Sequence, residues 1–273
     1  MYETRRSRST LGLALNMLDL SVQAAARKVR QSHRSALWAI LQSVVQSLLF
    51  LAAFYLMFTV LGMEQATIRG DFMLYLLTGI FAYLTHVKAL QQVMTSEGPA
   101  STMMQHAPMN TLVAVLSSAL SALYTQTVSL FVLLVMIHTL LNPITIHDWR
   151  GALMMFLLAW GTGCAIGLVL YALKPWLPDV TNILQNAYVR ANMIASGKMF
   201  VANMMPGFMI DLFDWNPLFH VIDQARGFTF VNYFPHHSNW QFPLYFTLIT
   251  LIIGFMAEAY TRKHASASWA AGR

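Results

Sequence analysis

The stretch LWAILQSVVQSLLFLAAFYLMFTVL, residues 37–61, decides the fold class because none of its side chains is charged. A helix of about 20 apolar residues crosses the hydrocarbon core of a bilayer, so this segment is long enough to span it with some tilt. Over the whole chain of 273 residues, 57% are apolar and only 10% are charged. A typical soluble domain has about 25% charged residues. The composition therefore predicts a helical membrane protein.

Five further stretches are predicted to cross the membrane as helices. They are residues 72–94, 111–141, 152–173, 179–203 and 241–260. Together with residues 37–61 they predict an all-α fold, a polytopic membrane protein with six transmembrane helices in a single transmembrane domain over residues 1–273. The stretch 179–203 carries many amides and charges, so it must face protein or water along part of its surface.

The segments outside these spans carry their own patterns. In residues 11–33 apolar side chains recur at helical spacing with basic residues around them, which predicts an N-terminal amphipathic interface helix; a solvated tail is the alternative. Residues 91–110 are polar and contain Gly98 and Pro99, and we expect a cytoplasmic segment with one short helix. Residues 204–235 mix apolar side chains with Pro and Gly, which predicts short external or partly re-entrant helices before the last span.

Basic residues are divided unevenly among the loops. Seven precede the first span and three follow the last, whereas residues 62–71 and 142–150 hold one each. The positive-inside rule therefore predicts that both termini lie in the cytoplasm, which requires an even number of spans. The first thirty-five residues lack a short apolar core with a small-residue cleavage site, so we expect no cleaved signal peptide.

The sequence lacks the patterns that would predict nucleotide, metal or catalytic sites. Its only Gly-Lys pair, Gly197–Lys198, has Asn192 where a P-loop has its first glycine and Met199 where it has Ser or Thr. The single cysteine, Cys164, lies in an apolar run, and no H-x-x-x-H or C-x-x-C spacing occurs. We expect no metal, no cofactor and no enzymatic activity in this chain, and no nucleic-acid partner.

One face of the fifth predicted span is polar. Asn182, Asn186 and Arg190 follow one another at intervals of four residues and share a helical face, and Lys198 lies two turns beyond. Ionised groups at membrane depth cost at least a few kcal/mol unless they meet water or partners, so these side chains are candidates for a substrate path. The alternative is structural pairing of Arg190 and Lys198 with Asp179 or a loop acid.

The first span also has a polar face, formed by Trp38, Gln42 and Gln46 at intervals of four residues. Amides and flat aromatic rings suit the hydroxyls and ring faces of sugars, so these three residues are further candidates for the path. The alternative is an interfacial tryptophan with amides that hydrogen-bond between helices.

Three strings resemble motifs of one transporter family. They are Leu37-Trp38-Ala39-Ile40-Leu41, Tyr75-Leu76-Leu77-Thr78-Gly79-Ile80, and Asn216-Pro217-Leu218-Phe219-His220-Val221-Ile222-Asp223 continued by Ala225-Arg226-Gly227. On these strings and the order of its elements, the chain resembles the membrane (permease) subunit of type-2 ABC exporters, in the capsular-polysaccharide branch. Ser35 and Ser43 depart from the pattern, because related sequences often have Gly and Pro there.

The resemblance implies a homodimer in the bacterial inner membrane that exports a lipid-linked acidic polysaccharide along its first and fifth spans. Two copies of a cytoplasmic ABC ATPase would bind ATP and Mg²⁺, and a periplasmic polysaccharide co-polymerase or adaptor and an outer-membrane export protein would be further partners. Residues 11–33 would match the interface helix, 204–235 the periplasmic gate helices and 91–104 the coupling helix docked on the ATPase. The expected ATPase-coupling residues are Gln91, Gln92, Thr95, Glu97 and Ser101.

Two alternatives stay open at this point. The first keeps the family but changes the cargo to another lipid-linked glycan, of the O-antigen or teichoic-acid type, or to a drug. The second is a membrane-embedded enzyme or a scaffold without a transport role. Binding of an ATPase through residues 91–104 would separate the second alternative from a transporter.

Overall fold

The computed structural model describes residues 19–25, 36–62, 71–96, 111–141 and 143–264, and these ranges contain helices and turns but no β-strand. Five helices are long and apolar enough to cross a membrane. They are α1 (Ala36–Val60), α2 (Phe72–Met94), α3 (Thr111–Leu140), α4 (Trp149–Leu173) and, at the end of the described chain, α8 (Gln241–His264). The protein is therefore a multi-pass helical membrane protein, as its composition predicts.

Shorter helices lie between α4 and α8. They are α5 (Pro178–Ala195), a 3₁₀ turn (Ala202–Met204), α6 (Gly207–Phe213) and α7 (Pro217–Thr229). The helix α5 is not among the five apolar candidates for a span. The short helices α6 and α7 fall in the stretch 204–235, where the sequence predicts short helices.

The predicted bounds of the five apolar helices are close to the observed ones because charged and turn-forming residues flank each run. The largest difference at a helix start is at α4, which begins three residues before predicted residue 152. There, one carboxylate oxygen of Asp148 accepts hydrogen bonds from the backbone N–H groups of Arg150 and Gly151. This N-cap satisfies donors of the first turn, so helix can begin in the polar link.

The predicted stretch 179–203 is a helix only as far as Ala195. Gly197 follows with φ +70°, a left-handed backbone conformation that ends helices and that glycine adopts at little cost. The prediction of one helix as far as residue 203 is therefore wrong in its last eight residues. Those residues instead form a turn region that packs against α2 and α7.

The central helix is α2. In its most apolar window 83% of the residues are buried, against 22–56% in the other four candidate spans. The helix α4 packs directly on its backbone through Gly163 and Gly167: a methyl group at Gly163 would collide with the carbonyl oxygen of His86, and one at Gly167 would lie 2.7 Å from that of Leu90. Small residues four apart permit such close helix–helix contact in membranes.

The helices alternate in direction between two ends of the bundle, named here the Asp71 end, where α2 begins, and the Met94 end, where it ends. Gly163 and Gly167 follow His86 and Leu90 in order, so α4 runs parallel to α2. After α4, Trp176 donates a hydrogen bond of 2.9 Å to Thr261 near the end of α8, which marks the Met94 end. The start of α8 lies at the opposite end.

Two other predicted segments are only partly within the described ranges. Residues 19–25 are helical, inside the predicted interface helix 11–33, and the rest of that segment lies outside the described residues. Gln91 and Gln92 lie in the last turn of α2, and Thr95 is its C-cap residue. Most of the predicted coupling helix 91–104, with Glu97 and Ser101, lies outside the described residues.

Candidate functional site

The helix α5 presents a polar strip on the outside of the molecule. Asn182, Asn186 and Arg190 are all exposed, as is Asp179 one turn earlier. The buried side of α5 carries Thr181 and Asn192. The three residues predicted for a substrate path therefore share a face that points away from the core of the chain.

The rest of the exposed surface of α5 is apolar. At about 100° per residue, the side chains next to the polar strip form a second strip, also exposed. Its members are Val180, Ile183, Leu184, Ala187, Ala191 and Ile194. A helix with one apolar and one polar outward strip can border lipid on one side and water or another subunit on the other.

The Arg190 end of the polar strip lies near the middle of the bundle. Tyr188, which lies between Asn186 and Arg190 in α5, contacts His86 of α2. His86 is about 21 Å from the start of α2 and about 12 Å from its end. Arg190 is therefore far from either end of the central helix. No acid among the described residues lies within ion-pair distance of it. Its charge needs water or a group outside the described residues.

Hydrogen bonds hold α5 to the core at this depth. The Thr162 hydroxyl donates to the carbonyl of Ala159 over 2.9 Å, so it accepts a hydrogen bond from Nδ1 of His86, also over 2.9 Å. The other ring nitrogen, Nε2, therefore accepts from the Tyr188 hydroxyl at 3.0 Å. This order of donors requires a neutral imidazole with its proton on Nδ1. The chain of bonds joins α4, α2 and α5.

A second buried polar contact lies on the opposite side of α2. The ammonium of Lys88 donates to the Ser43 hydroxyl over 2.9 Å, and that hydroxyl donates to the side-chain carbonyl of Gln126 over 2.8 Å. This contact joins α2 to α1 and α3. Ser43, where the resemblance leads one to expect Pro, thus supplies the hydroxyl that bridges the three helices.

The three candidate residues on α1 lie beside its buried face. Trp38 and Gln42 are exposed and Gln46 is half-buried. The same row continues at intervals of four residues to Phe50 and Phe54. Those two rings lie 5.9 and 5.5 Å, measured to their centres, from the ammonium of Lys198. Lys198, the candidate residue that follows α5, therefore lies at the continuation of the polar row of α1.

Lys198 itself is enclosed by aromatic rings. Only 1% of its surface is exposed, and its Nζ has no hydrogen-bond partner among the described residues. The closest ring is that of Tyr83 on α2, whose centre is 3.5 Å from Nζ. The faces of aromatic rings attract cations, and this attraction grows when water is excluded. Lys198 does not face an open path in this conformation; the aromatic cage of Phe50, Phe54 and Tyr83 holds it.

The backbone that carries Lys198 is fixed by Arg226 of α7. Its guanidinium donates to the carbonyls of Gly197 at 3.0 Å, Lys198 at 2.7 Å and Phe200 at 2.6 Å, and it lies 4.3 Å over the ring of Tyr75. Gly79 permits the close approach, because a methyl group there would lie 2.8 Å from the guanidinium. The charge of Arg226 is thus used to hold the turn that follows α5.

Other residues of the string 216–227 also have structural contacts. The Asn216 side-chain amide donates to Asn192 at 3.0 Å and to the carbonyl of Ala195 at 2.8 Å, which ties α7 to the end of α5. His220 contacts the backbone carbonyl of Asp214 at 2.6 Å. The most specific string of the sequence therefore organises the segment between α5 and α8.

Asp223 connects α7 to the loop before α8. Its carboxylate accepts hydrogen bonds from the Tyr233 hydroxyl and, at 2.7 Å, from the Ser238 hydroxyl. Burial raises the pKa of the Tyr233 hydroxyl well above its usual range, and the neighbouring carboxylate acts in the same direction. Tyr233 therefore stays a hydrogen-bond donor over the physiological pH range.

Sequence patterns did not single out His86, Tyr188, Lys88 and Gln126 as contacts. The signal that could have found them is the occurrence of polar side chains inside otherwise apolar runs.

In the described ranges, no three His, Cys, Asp or Glu side chains come together as a metal site. No protein-family model matches the sequence, and no curated protein matches it.

Proposed function

We propose that the protein is the membrane subunit of an ATP-driven exporter that carries a lipid-linked acidic capsular polysaccharide across the bacterial inner membrane. The observation that carries this proposal is the polar strip of α5, with Arg190 outward-facing near mid-depth and without an acidic partner in the described chain. A guanidinium facing lipid there would cost at least about 2.5 kcal/mol. Water in a conduit or a second copy removes that cost.

A homodimer provides such an environment. Two copies that meet along their α1 and α5 helices would enclose the strip of Asn182, Asn186 and Arg190 between them, with the apolar strip of α5 left toward lipid. The row of Trp38, Gln42 and Gln46 on α1 would contribute stacking surfaces and amides for sugar rings. Arg190, and Lys198 once released from its aromatic cage, would offset the carboxylates of the polymer.

The topology we propose has six crossings and cytoplasmic termini. Trp176 lies at the Met94 end of the bundle, whereas Phe242, at the start of α8, contacts His220 near the opposite end, 4.9 Å between ring centres. The chain must return between these points. The helix α5 is about 27 Å long and can therefore span most of the distance between the two ends of the bundle. This supports α5 as the sixth crossing, with α6 and α7 as periplasmic gate helices.

The energy source in this proposal is a separate ATPase bound at the Met94 end. The chain has no P-loop, so two copies of an ABC ATPase would supply hydrolysis and hold ATP and Mg²⁺. The helix α2 ends at Met94 with Gln91 exposed in its last turn, so a segment following it could transmit movement directly to the most buried helix of the bundle. Gln92, Thr95, Glu97 and Ser101 are the other proposed coupling residues.

The experiment combines a binding and an export measurement in the native host. The chain is tagged, purified from membranes in mild detergent, and the copurifying proteins are identified by mass spectrometry; in parallel, surface polysaccharide is quantified after gene deletion and complementation. We expect an ABC ATPase in the purified complex and loss of surface polysaccharide that the intact gene restores. Normal surface polysaccharide in the deletion strain, or a purified chain without an ABC ATPase, would refute the proposal.

A further inference from the structure

A cavity of about 250 Å³ opens at the Asp71 end of the bundle, between α2, α3, α4 and α7. Apolar side chains form its walls. They include Leu77, Phe81, Leu134, Leu153, Phe156 and Ala225. It lies on a different side of α2 from the candidate site, since Gly79 and Tyr83 contact Lys198 whereas Leu77 and Phe81 line the cavity.

The cavity offers little to a polar ligand. Two threonines are among its lining residues, and both hydroxyls are used within their own helices: Thr78 donates to the carbonyl of Tyr75 at 2.8 Å and Thr229 to that of Ala225 at 2.7 Å. Water needs two to four polar partners to occupy a buried site, and the walls do not supply them. The cavity therefore suits a hydrocarbon group.

The surface around the mouth is also apolar. Leu153 and Leu157 of α4 and Phe131 and Val135 of α3 are exposed on the two helices that border the opening. Both helices are candidate membrane spans. The opening therefore faces the acyl chains of the bilayer, and the stretch from Trp149 to Phe156 gives it a depth of about 10 Å along α4.

The rim of the cavity carries a positive charge. The guanidinium of Arg150 lies 5.6 Å from the centre of the Trp149 ring, which is one of the lining residues. The neighbouring carboxylate of Asp148 accepts from backbone N–H groups, and no acid in the described ranges forms an ion pair with Arg150. Tryptophan and arginine at the end of a span are typical of the headgroup region, where anionic lipid phosphates attract basic side chains.

We infer that this cavity is a binding site for a phospholipid with a net negative headgroup: one acyl chain enters the cavity, and the phosphate lies against Arg150 and Trp149. The site does not depend on the proposed export function. It would hold a bilayer lipid between α3 and α4, at the end where α7 meets the start of α4 through the hydrogen bond from Asp148 N–H to the carbonyl of Phe228, 2.8 Å long.

The test uses the delipidated full-length protein in detergent, titrated with brominated phosphatidylglycerol or brominated phosphatidylcholine. Bromine quenches nearby tryptophan, and the contribution of Trp149 is obtained by subtracting the signal of Trp149→Phe. We expect saturable quenching that reaches half its maximum at a concentration at least tenfold lower for phosphatidylglycerol. Ala152→Phe, which fills the cavity from α4, should abolish saturation, whereas Ala53→Phe on the exposed face of α1 should not change it.

Arg150→Gln provides the second variant, because an exposed side chain can be replaced without disturbing the fold. It should remove the preference for phosphatidylglycerol while saturation with either lipid remains. Equal half-saturation for the two lipids in the unmodified protein would overturn the inference, as would identical titrations of Ala152→Phe and Ala53→Phe. A change of oligomeric mass caused by Ala152→Phe would assign the cavity to an interface between copies instead.

Discussion

The guanidinium of Arg226 donates to the backbone carbonyl of Lys198 over 2.7 Å, so one basic side chain fixes the backbone of a second basic residue. The side chain of Lys198 leaves this backbone toward the ring of Tyr83, 3.5 Å away. The turn after α5 is therefore fixed from α7 through its backbone and from α1 and α2 through a side chain. Both attachments can be broken separately.

Arg226→Lys should destabilise the fold. A lysine presents its donors at a single point and cannot reach the carbonyls of Gly197, Lys198 and Phe200 together, so we expect a loss of about 2 kcal/mol in the free energy of unfolding. Thermal unfolding in detergent should show this as a lower Tm, by roughly 4–8 °C. Arg190→Lys is the control, because Arg190 is exposed and its replacement should change stability by less than about 0.5 kcal/mol. Equal Tm values for the two variants would contradict this account.

Lys198→Met should separate stability from transport. Methionine fills a similar volume and needs no partner, so replacing a buried ammonium without hydrogen bonds should leave the Tm unchanged or higher. If Lys198 meets the polymer during export, surface polysaccharide should fall several-fold at equal protein level. Lys263→Met, a change in the exposed last turn of α8, is the matched control. Unchanged surface polysaccharide in Lys198→Met would remove this residue from the proposed path.

Gly163→Ala should disturb the contact between α4 and α2. The added methyl group would collide with the backbone carbonyl of His86, which cannot move without shifting the central helix, and overpacking of this kind costs about 1–3 kcal/mol. Gly161→Ala is a close control in the same helix, since its methyl group would lie 3.5 Å from Thr247, an ordinary contact. The yield of monodisperse protein and its Tm in detergent measure both changes. A Gly163→Ala protein as stable as Gly161→Ala would show that α2 and α4 can move apart without loss of stability, which would contradict the prediction.

The polar strip of α5 should be accessible to water in the assembled complex. The only native cysteine, Cys164, is buried, so single cysteines can be introduced after Cys164→Ala. In native membrane vesicles a charged thiol reagent should modify Asn186→Cys at least tenfold faster than Leu184→Cys, which lies on the apolar strip of the same helix. Similar rates at the two positions would mean that no hydrated conduit borders α5, and the proposed path would fail.

Much of the helical framework could be predicted from sequence because long uncharged runs leave few alternatives in a membrane. The bounds of α2 agree with the prediction at both ends, since Asp71 caps its first turn and polar residues follow Met94. The exposed face of Asn182, Asn186 and Arg190 could also be predicted, because helical spacing alone places them together. Local rules are sufficient for features of this kind.

Features that depend on distant residues could not be predicted. The end of α5 at Ala195 depends on Gly197 and on Arg226, which is supplied by a helix twenty residues further along. The enclosure of Lys198 depends on Phe50 and Phe54, far earlier in the chain, and spacing within one helix carries no information about such pairs. The partners of His86 are likewise set by how three helices pack.

The two polar contacts of α2 limit how an exporter built from this bundle could work. His86 and Lys88 are two residues apart, so their side chains leave the helix about 200° from each other. One engages α4 and α5 and the other engages α1 and α3. Any twist of α2 about its own axis would break hydrogen bonds on both flanks at once. The central helix is thus held against rotation relative to its neighbours, and movement transmitted to α2 during an export cycle would have to carry the flanking helices with it.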